Sequence, residues 1–64
     1  MDTPSAAEVV RHAIDVLGTR DSAIDWLQAP NAIFEGRSPE DLIRIGQAAE
    51  VDKILTRIEY GVFS

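Results

Sequence analysis

The sequence predicts an all-α fold, a single compact domain of about four short helices. Apolar residues recur along its 64 residues at the i, i+3, i+4 spacing of amphipathic helices, and no strand-like alternation is present. Serine, threonine and glycine stand at the positions where helices typically begin and end. The hydrophobic content of 45% is that of a folded globule, too high for a disordered segment.

The first helix is predicted over about residues 5–17. Ser5 and Glu8 have the spacing of a capping box, and Gly18 ends the helix. His12 lies four residues after Glu8 and three before Asp15, so we interpret it as a surface histidine in an ion pair within this helix. The apolar face consists of Ala6, Val9, Val10, Ala13 and Leu17.

Thr19 is expected to cap a second, short helix, which ends before Pro30. Its apolar residues are Ala23, Trp26 and Leu27, and the tryptophan is expected in or at the edge of the core rather than as a partner anchor. The loop over residues 30–37 contains Ile33 and Phe34, which indicates a connection pinned onto the core.

The stretch Ser38-Pro39-Glu40-Asp41 opens a third helix, because serine caps, proline fits the first helical position and acids suit the first turn. Gly46 interrupts the helical path, and a last helix is predicted from about Gln47 to Tyr60. Its apolar face is Val51, Ile54, Leu55 and Ile58, and the same stripe reaches Val62 beyond Gly61.

Composition argues against several functional classes. A net charge of −5 opposes nucleic-acid binding by this chain alone. Without cysteine, and with His12 as the one histidine, a thiolate or histidine-rich metal site is not expected. The four glycines are isolated, so no phosphate loop is formed, and a chain this short is not expected to hold a walled pocket of about 300 Å³. We therefore predict no enzyme and no cofactor.

The sequence also carries no membrane-spanning apolar run and no signal-like start, which predicts a cytoplasmic protein.

Several short motifs resemble, in their order, the toxin-binding domain of the Xre/MbcA/ParS family of antitoxins, those paired with RES-domain toxins. The resemblance extends from about Val9 to Ser64. The motifs are Gly18, Ala23-x-x-Trp26-Leu27-x-x-Pro30-Asn31, Gly36-x-Ser38-Pro39, and Val51-x-x-x-Leu55-x-Arg57-Ile58-x-Tyr60-Gly61-Val62-Phe63-Ser64.

The resemblance implies an antitoxin of a bacterial toxin–antitoxin system, which neutralises a RES-domain NAD⁺-depleting toxin by blocking its active site with the C-terminal helix and tail. The implied partner-binding residues are Arg57, Ile58, Glu59, Tyr60, Gly61, Val62, Phe63 and Ser64. Spacing alone favours Val62 as core, whereas Phe63 is left open between core and partner contact.

Relatives commonly carry a DNA-binding helix-turn-helix-like segment before this domain, and only residues 1–4 precede the first helix here. We expect residues 1–64 to be one toxin-binding domain without that segment, either a natural short protein or a fragment of a longer antitoxin. The alternative is a stand-alone helical module that self-associates or has a structural role, with no toxin partner.

Overall fold

The helices begin at or next to the residues that the capping signals indicate. The computed structural model describes residues 3–61, and this part contains four α-helices, one short 3₁₀ helix and no strand. The all-α prediction is therefore confirmed. The elements are α1 (Ala6–Leu17), α2 (Arg20–Gln28), a 3₁₀ turn (Ala32–Phe34), α3 (Pro39–Arg44) and α4 (Ala48–Glu59).

Three of the four α-helices have a side-chain cap at their start. The Ser5 hydroxyl accepts a hydrogen bond from the Glu8 N–H at 3.2 Å, and the Glu8 carboxylate accepts one from the Ser5 N–H at 2.8 Å. Thr19 and Ser38 accept equivalent bonds, each at 3.1 Å, from the third residue after them. These bonds satisfy N–H groups that have no partner within the helix, and so they determine where each helix begins.

Gly46 allows α3 to end and α4 to begin after only three intervening residues. Its φ is +87°, in the region where glycine has no steric penalty. The Gln47 N–H donates to the Leu42 carbonyl at 2.8 Å and the Gly46 N–H donates to the Ile43 carbonyl at 3.1 Å. This pair of bonds is the Schellman arrangement, which closes a helix and turns the chain away from its axis.

The four α-helices pack in a closed ring, in which α1 contacts α2 and α4, and α3 contacts the same two helices. The body measures 26 × 25 × 23 Å, so the helices surround one centre rather than forming an elongated bundle. Leu55 of α4 is the largest of the fully buried side chains. The buried cluster consists of Val9, Ala13, Ala23, Leu27, Leu42, Ala48, Val51 and Leu55.

The predicted apolar faces are mostly correct. Val9 and Ala13 are buried and Val10 and Leu17 are half-buried, but Ala6 is exposed, so the buried stripe of α1 begins one turn later than expected. Trp26 is half-buried against the core, as predicted.

The loop before α3 is partly different from expectation. Asn31 organises it, because its side chain accepts from the Ile33 N–H at 3.0 Å and its main chain pairs with Arg37 and Gly36 at 3.1 and 3.0 Å. Phe34 packs against the core, whereas Ile33 is 51% exposed, so the prediction that both residues are pinned is wrong for Ile33. Successive residues of a 3₁₀ turn point about 120° apart, so the two neighbours face different directions.

None of the helices in the described range has the length and apolar character needed to cross a bilayer.

Candidate functional site

The end of α4 carries the residues that the sequence assigns to partner binding. Arg57, Ile58 and Glu59 form its last turn, and Tyr60 and Gly61 follow. The Tyr60 N–H donates to the Thr56 carbonyl and the Gly61 N–H to the Ile58 carbonyl, both at 3.1 Å. Gly61 has φ of +67°, which bends the chain away from the helix axis. Val62, Phe63 and Ser64, including the expectation that Val62 is core, lie outside the described residues.

This last turn presents different side chains to the fold and to solvent. Ile58 is half-buried, whereas Arg57 is exposed and Tyr60 is 74% exposed. A tyrosine this exposed combines a large apolar ring with a hydroxyl, the combination that protein interfaces favour. The five described site residues therefore form a contiguous surface whose inner edge is held by the core.

His12 contacts this last turn, and this corrects the predicted ion pair within α1. Its Nδ1 lies 2.6 Å from an Asp52 carboxylate oxygen, and its Nε2 lies 3.0 Å from a Glu59 carboxylate oxygen. Both carboxylates belong to α4, while the Glu8 carboxylate caps its own helix by accepting from Ser5. The histidine side chain is 21% exposed, so it lies at the edge of the α1–α4 interface.

The two contacts favour a protonated imidazole. A neutral ring has one N–H and one lone pair, so one of its nitrogens would face a carboxylate oxygen without a proton between them. An imidazolium donates from both nitrogens. The hydrogen bond with Glu59, and next the one with Asp52, raise the pKa of His12 above its usual value, and these effects outweigh partial burial, which lowers it.

The sequence contains a signal for this contact that the helical ion-pair interpretation overlooks. His12 lies beside buried Ala13, at the edge of the apolar stripe of α1. Asp52 and Glu59 lie beside Val51 and Ile58, at the edge of the stripe of α4, and are seven residues apart on one face. Residues that flank two apolar stripes meet across the interface when the stripes pack, as charged flanking residues do in coiled coils.

The second surface feature is a groove open to solvent, which differs from the walled pocket that a chain this short is not expected to hold. An open groove of about 380 Å³ lies between the 3₁₀ loop, α3 and the start of α4. Gln47 and Glu50 border it at the start of α4, about 15–20 Å along the helix from Tyr60, so the structure does not bring the groove and the last turn together. The lining residues are Ile33, Phe34, Glu35, Arg37, Leu42, Gln47 and Glu50.

Within residues 3–61, no group of histidine and acidic side chains is arranged to hold a metal ion. In the His12 cluster both ring nitrogens face carboxylates. The cluster therefore forms ion pairs between α1 and α4.

Residues 12–61 match the family model of the antitoxin Xre/MbcA/ParS C-terminal toxin-binding domain. The chain belongs to this antitoxin family. The matched range includes His12, Asp52 and the described end of α4, so the Xre/MbcA/ParS domain contains both features of the candidate site. Comparison with curated proteins and with solved structures gave no match. Membership makes a toxin the partner of this domain.

Proposed function

We propose that this toxin-binding domain neutralises a RES-domain, NAD⁺-depleting toxin in the bacterial cytoplasm by blocking its active site with the C-terminal helix and tail. The partner-binding segment is Arg57–Ser64. That residues 1–64 are one such domain stays a prediction.

The observation that carries the proposal is the exposed end of α4 within a family-matched toxin-binding domain. Val51 and Leu55 are fully buried, which fixes the helix in the core, while Tyr60 at its end is 74% exposed. A protruding aromatic on a rigid helix loses little conformational entropy on binding. This geometry suits a segment that enters a cleft in another protein.

The charge of the chain also supports binding at the NAD⁺ site of a toxin. A site that holds the pyrophosphate of NAD⁺ needs positive charge, and the antitoxin chain carries a net charge of −5. Opposite net charges accelerate encounter and disfavour wrong partners. Glu59 already contacts His12, so a toxin cation would have to share that carboxylate or replace the histidine at it.

Tyr60 supplies the sharpest test because the chain offers a matched control. Ile45 is also a large exposed residue at the C-cap of a helix, 53% exposed at the end of α3. We expect Tyr60→Ala to weaken toxin binding by about tenfold or more, the size of an interface hot spot, and Ile45→Ala to change it by less than about twofold. Titration calorimetry with a RES-domain toxin measures how tightly each variant binds. An NAD⁺-consumption assay measures how far each variant neutralises the toxin.

Deletion of residues 61–64 tests the tail directly. We expect loss of neutralisation with helix content by circular dichroism nearly unchanged. Equal effects of Tyr60→Ala and Ile45→Ala, or full neutralisation by the shortened chain, would contradict the proposal. Unfolding of the shortened chain would show that the tail belongs to the core.

Self-association is the second candidate, and two exposed side chains favour it. Ile33 and Ile45 are each about half exposed, and small domains often bury such residues between copies. Sedimentation velocity over a range of concentrations distinguishes a dimer from a monomer, and Ile33→Asp should abolish a dimer in which Ile33 is buried.

A further inference from the structure

We propose that His12 is a positioning residue of the toxin-binding segment, which ties the last turn of α4 to α1 through Glu59 and so fixes the exit of the chain at Tyr60 and Gly61. The effect of His12 on toxin binding rests on the proposed function. The restraint of the last turn in the free protein does not depend on it.

The geometry of the tie carries the inference. Asp52 and Glu59 are two turns apart on α4, about 10 Å along its axis, and the ring of His12 bridges them. The bond to Asp52 anchors the ring at 2.6 Å to a turn that the core already holds. The bond to Glu59 at 3.0 Å then holds the final residue of the helix against the same ring.

Beyond the half-buried Ile58, the end of α4 has few other restraints. Tyr60 and Gly61 are exposed, and their described attachments are the main-chain bonds to Thr56 and Ile58. Helix ends fray because their terminal carbonyls have no partner within the helix. A side-chain bond from another helix to Glu59 therefore restrains the very residues that precede the tail.

The tie depends on the proton of His12. Loss of that proton leaves one ring nitrogen with a lone pair directed at a carboxylate, so one of the two bonds is lost. The bond to Asp52 at 2.6 Å is shorter than the bond to Glu59 at 3.0 Å, so the neutral ring keeps its N–H toward Asp52 and the bond to Glu59 is the one that is lost.

The surrounding charges leave these two carboxylates as the controlling groups. Glu8 is engaged with Ser5, and the described ion pairs of His12 involve α4 and not α2. The other charged residues of α1, α2 and α4 are Arg11, Asp15, Arg20, Asp21, Asp25, Glu50, Lys53 and Arg57.

The test uses amide hydrogen exchange of the free 64-residue chain, followed by NMR across the titration of His12. We expect the protection factors of the Tyr60 and Gly61 amides to fall by about two- to fivefold as the ring loses its proton, the size of a partly exposed ion pair. The amide of Leu55 should show no step. In His12→Gln the step should be absent and the last-turn protection low at every pH.

Arg11→Gln is the matched control, because Arg11 is the exposed neighbour of His12 on the same helix. In Arg11→Gln the protection of the Tyr60 and Gly61 amides should fall, as in the natural chain, when His12 loses its proton. A step of equal size in His12→Gln, or no step in the natural chain, would overturn the inference. If His12→Gln does not fold, Glu59→Ala removes only the contact to the last turn and must abolish the same step.

Toxin binding provides the second measurement. Affinity for a RES-domain toxin should weaken above the pKa of His12 in the natural chain and in Arg11→Gln, and should lack that step in His12→Gln. Complete absence of binding at every pH would refute the proposed function, while the exchange data of the free protein would still decide the tie. A pH step in affinity that persists in His12→Gln would overturn the positioning role.

Discussion

His12 is the one basic side chain in the described structure whose ion pairs join two helices, and its charge state links the fold to pH. Its contacts with Asp52 and Glu59 connect α1 to both the second turn and the end of α4. The other described ion pairs, which join Arg44 to Glu40 and Asp41, lie within α3 at 3.4 Å on an exposed surface and contribute little to stability.

The folding stability should therefore depend on pH through His12. Its pKa is raised in the folded state, above the value of about 6.5 expected for the unfolded chain. The stabilisation is fully present below about pH 6.5 and is lost as pH rises through the folded-state pKa. The urea concentration at the unfolding midpoint should fall between pH 6 and pH 8.5, and this fall should be larger in the natural chain than in His12→Gln. Parallel losses in both would show that other groups cause the pH dependence.

At the level of elements, the junction between α3 and α4 depends on the backbone of Gly46. A Cβ added there meets no atom within 4 Å, so the cost of a side chain comes from the φ of +87° and not from a clash. Gly46→Ala should reduce the free energy of unfolding by about 1 kcal/mol.

A chemically synthesised chain with D-alanine at position 46 is the control, because a D-residue accepts positive φ. It should be at least as stable as the natural chain in thermal unfolding followed by circular dichroism. A loss of stability equal to that of the L-alanine variant would indicate a steric rather than a conformational cause.

The helix starts were predictable because their signals are local. Ser5, Thr19 and Ser38 each cap a helix through a residue three positions away, and the sequence displays both partners. The 3₁₀ turn and the exposure of Ile33 were not predictable in this way, since they depend on which side of the turn meets the core. His12 is the clearest case, because its partners are 40 and 47 residues distant in the chain.

The whole molecule depends on a small core centred on α4. A domain of this length has a free energy of unfolding of about 3–10 kcal/mol. Leu55 is fully buried, and its truncation to alanine should cost about 2–5 kcal/mol, enough to unfold much of the population at moderate temperature. Thermal unfolding of Leu55→Ala should show a large fall in midpoint.

Ile45→Ala is the control for this substitution, because it removes atoms from a side chain that is 53% exposed. Its midpoint should change little. Similar losses in the two variants would mean that the core does not centre on α4.

The packing of α1 on α4 also determines how this chain folds. These are the first and last helices, so 30 residues, 18–47, must be closed into a loop before the two can meet. Closing a loop of that length costs about 3 kcal/mol of chain entropy, which burial of Val9 and Leu55 repays only once both helices are in place. Folding is thus expected to be all-or-none. A protease cut within α4 would then leave no partly folded antitoxin, but an open chain that no longer presents Tyr60 at all.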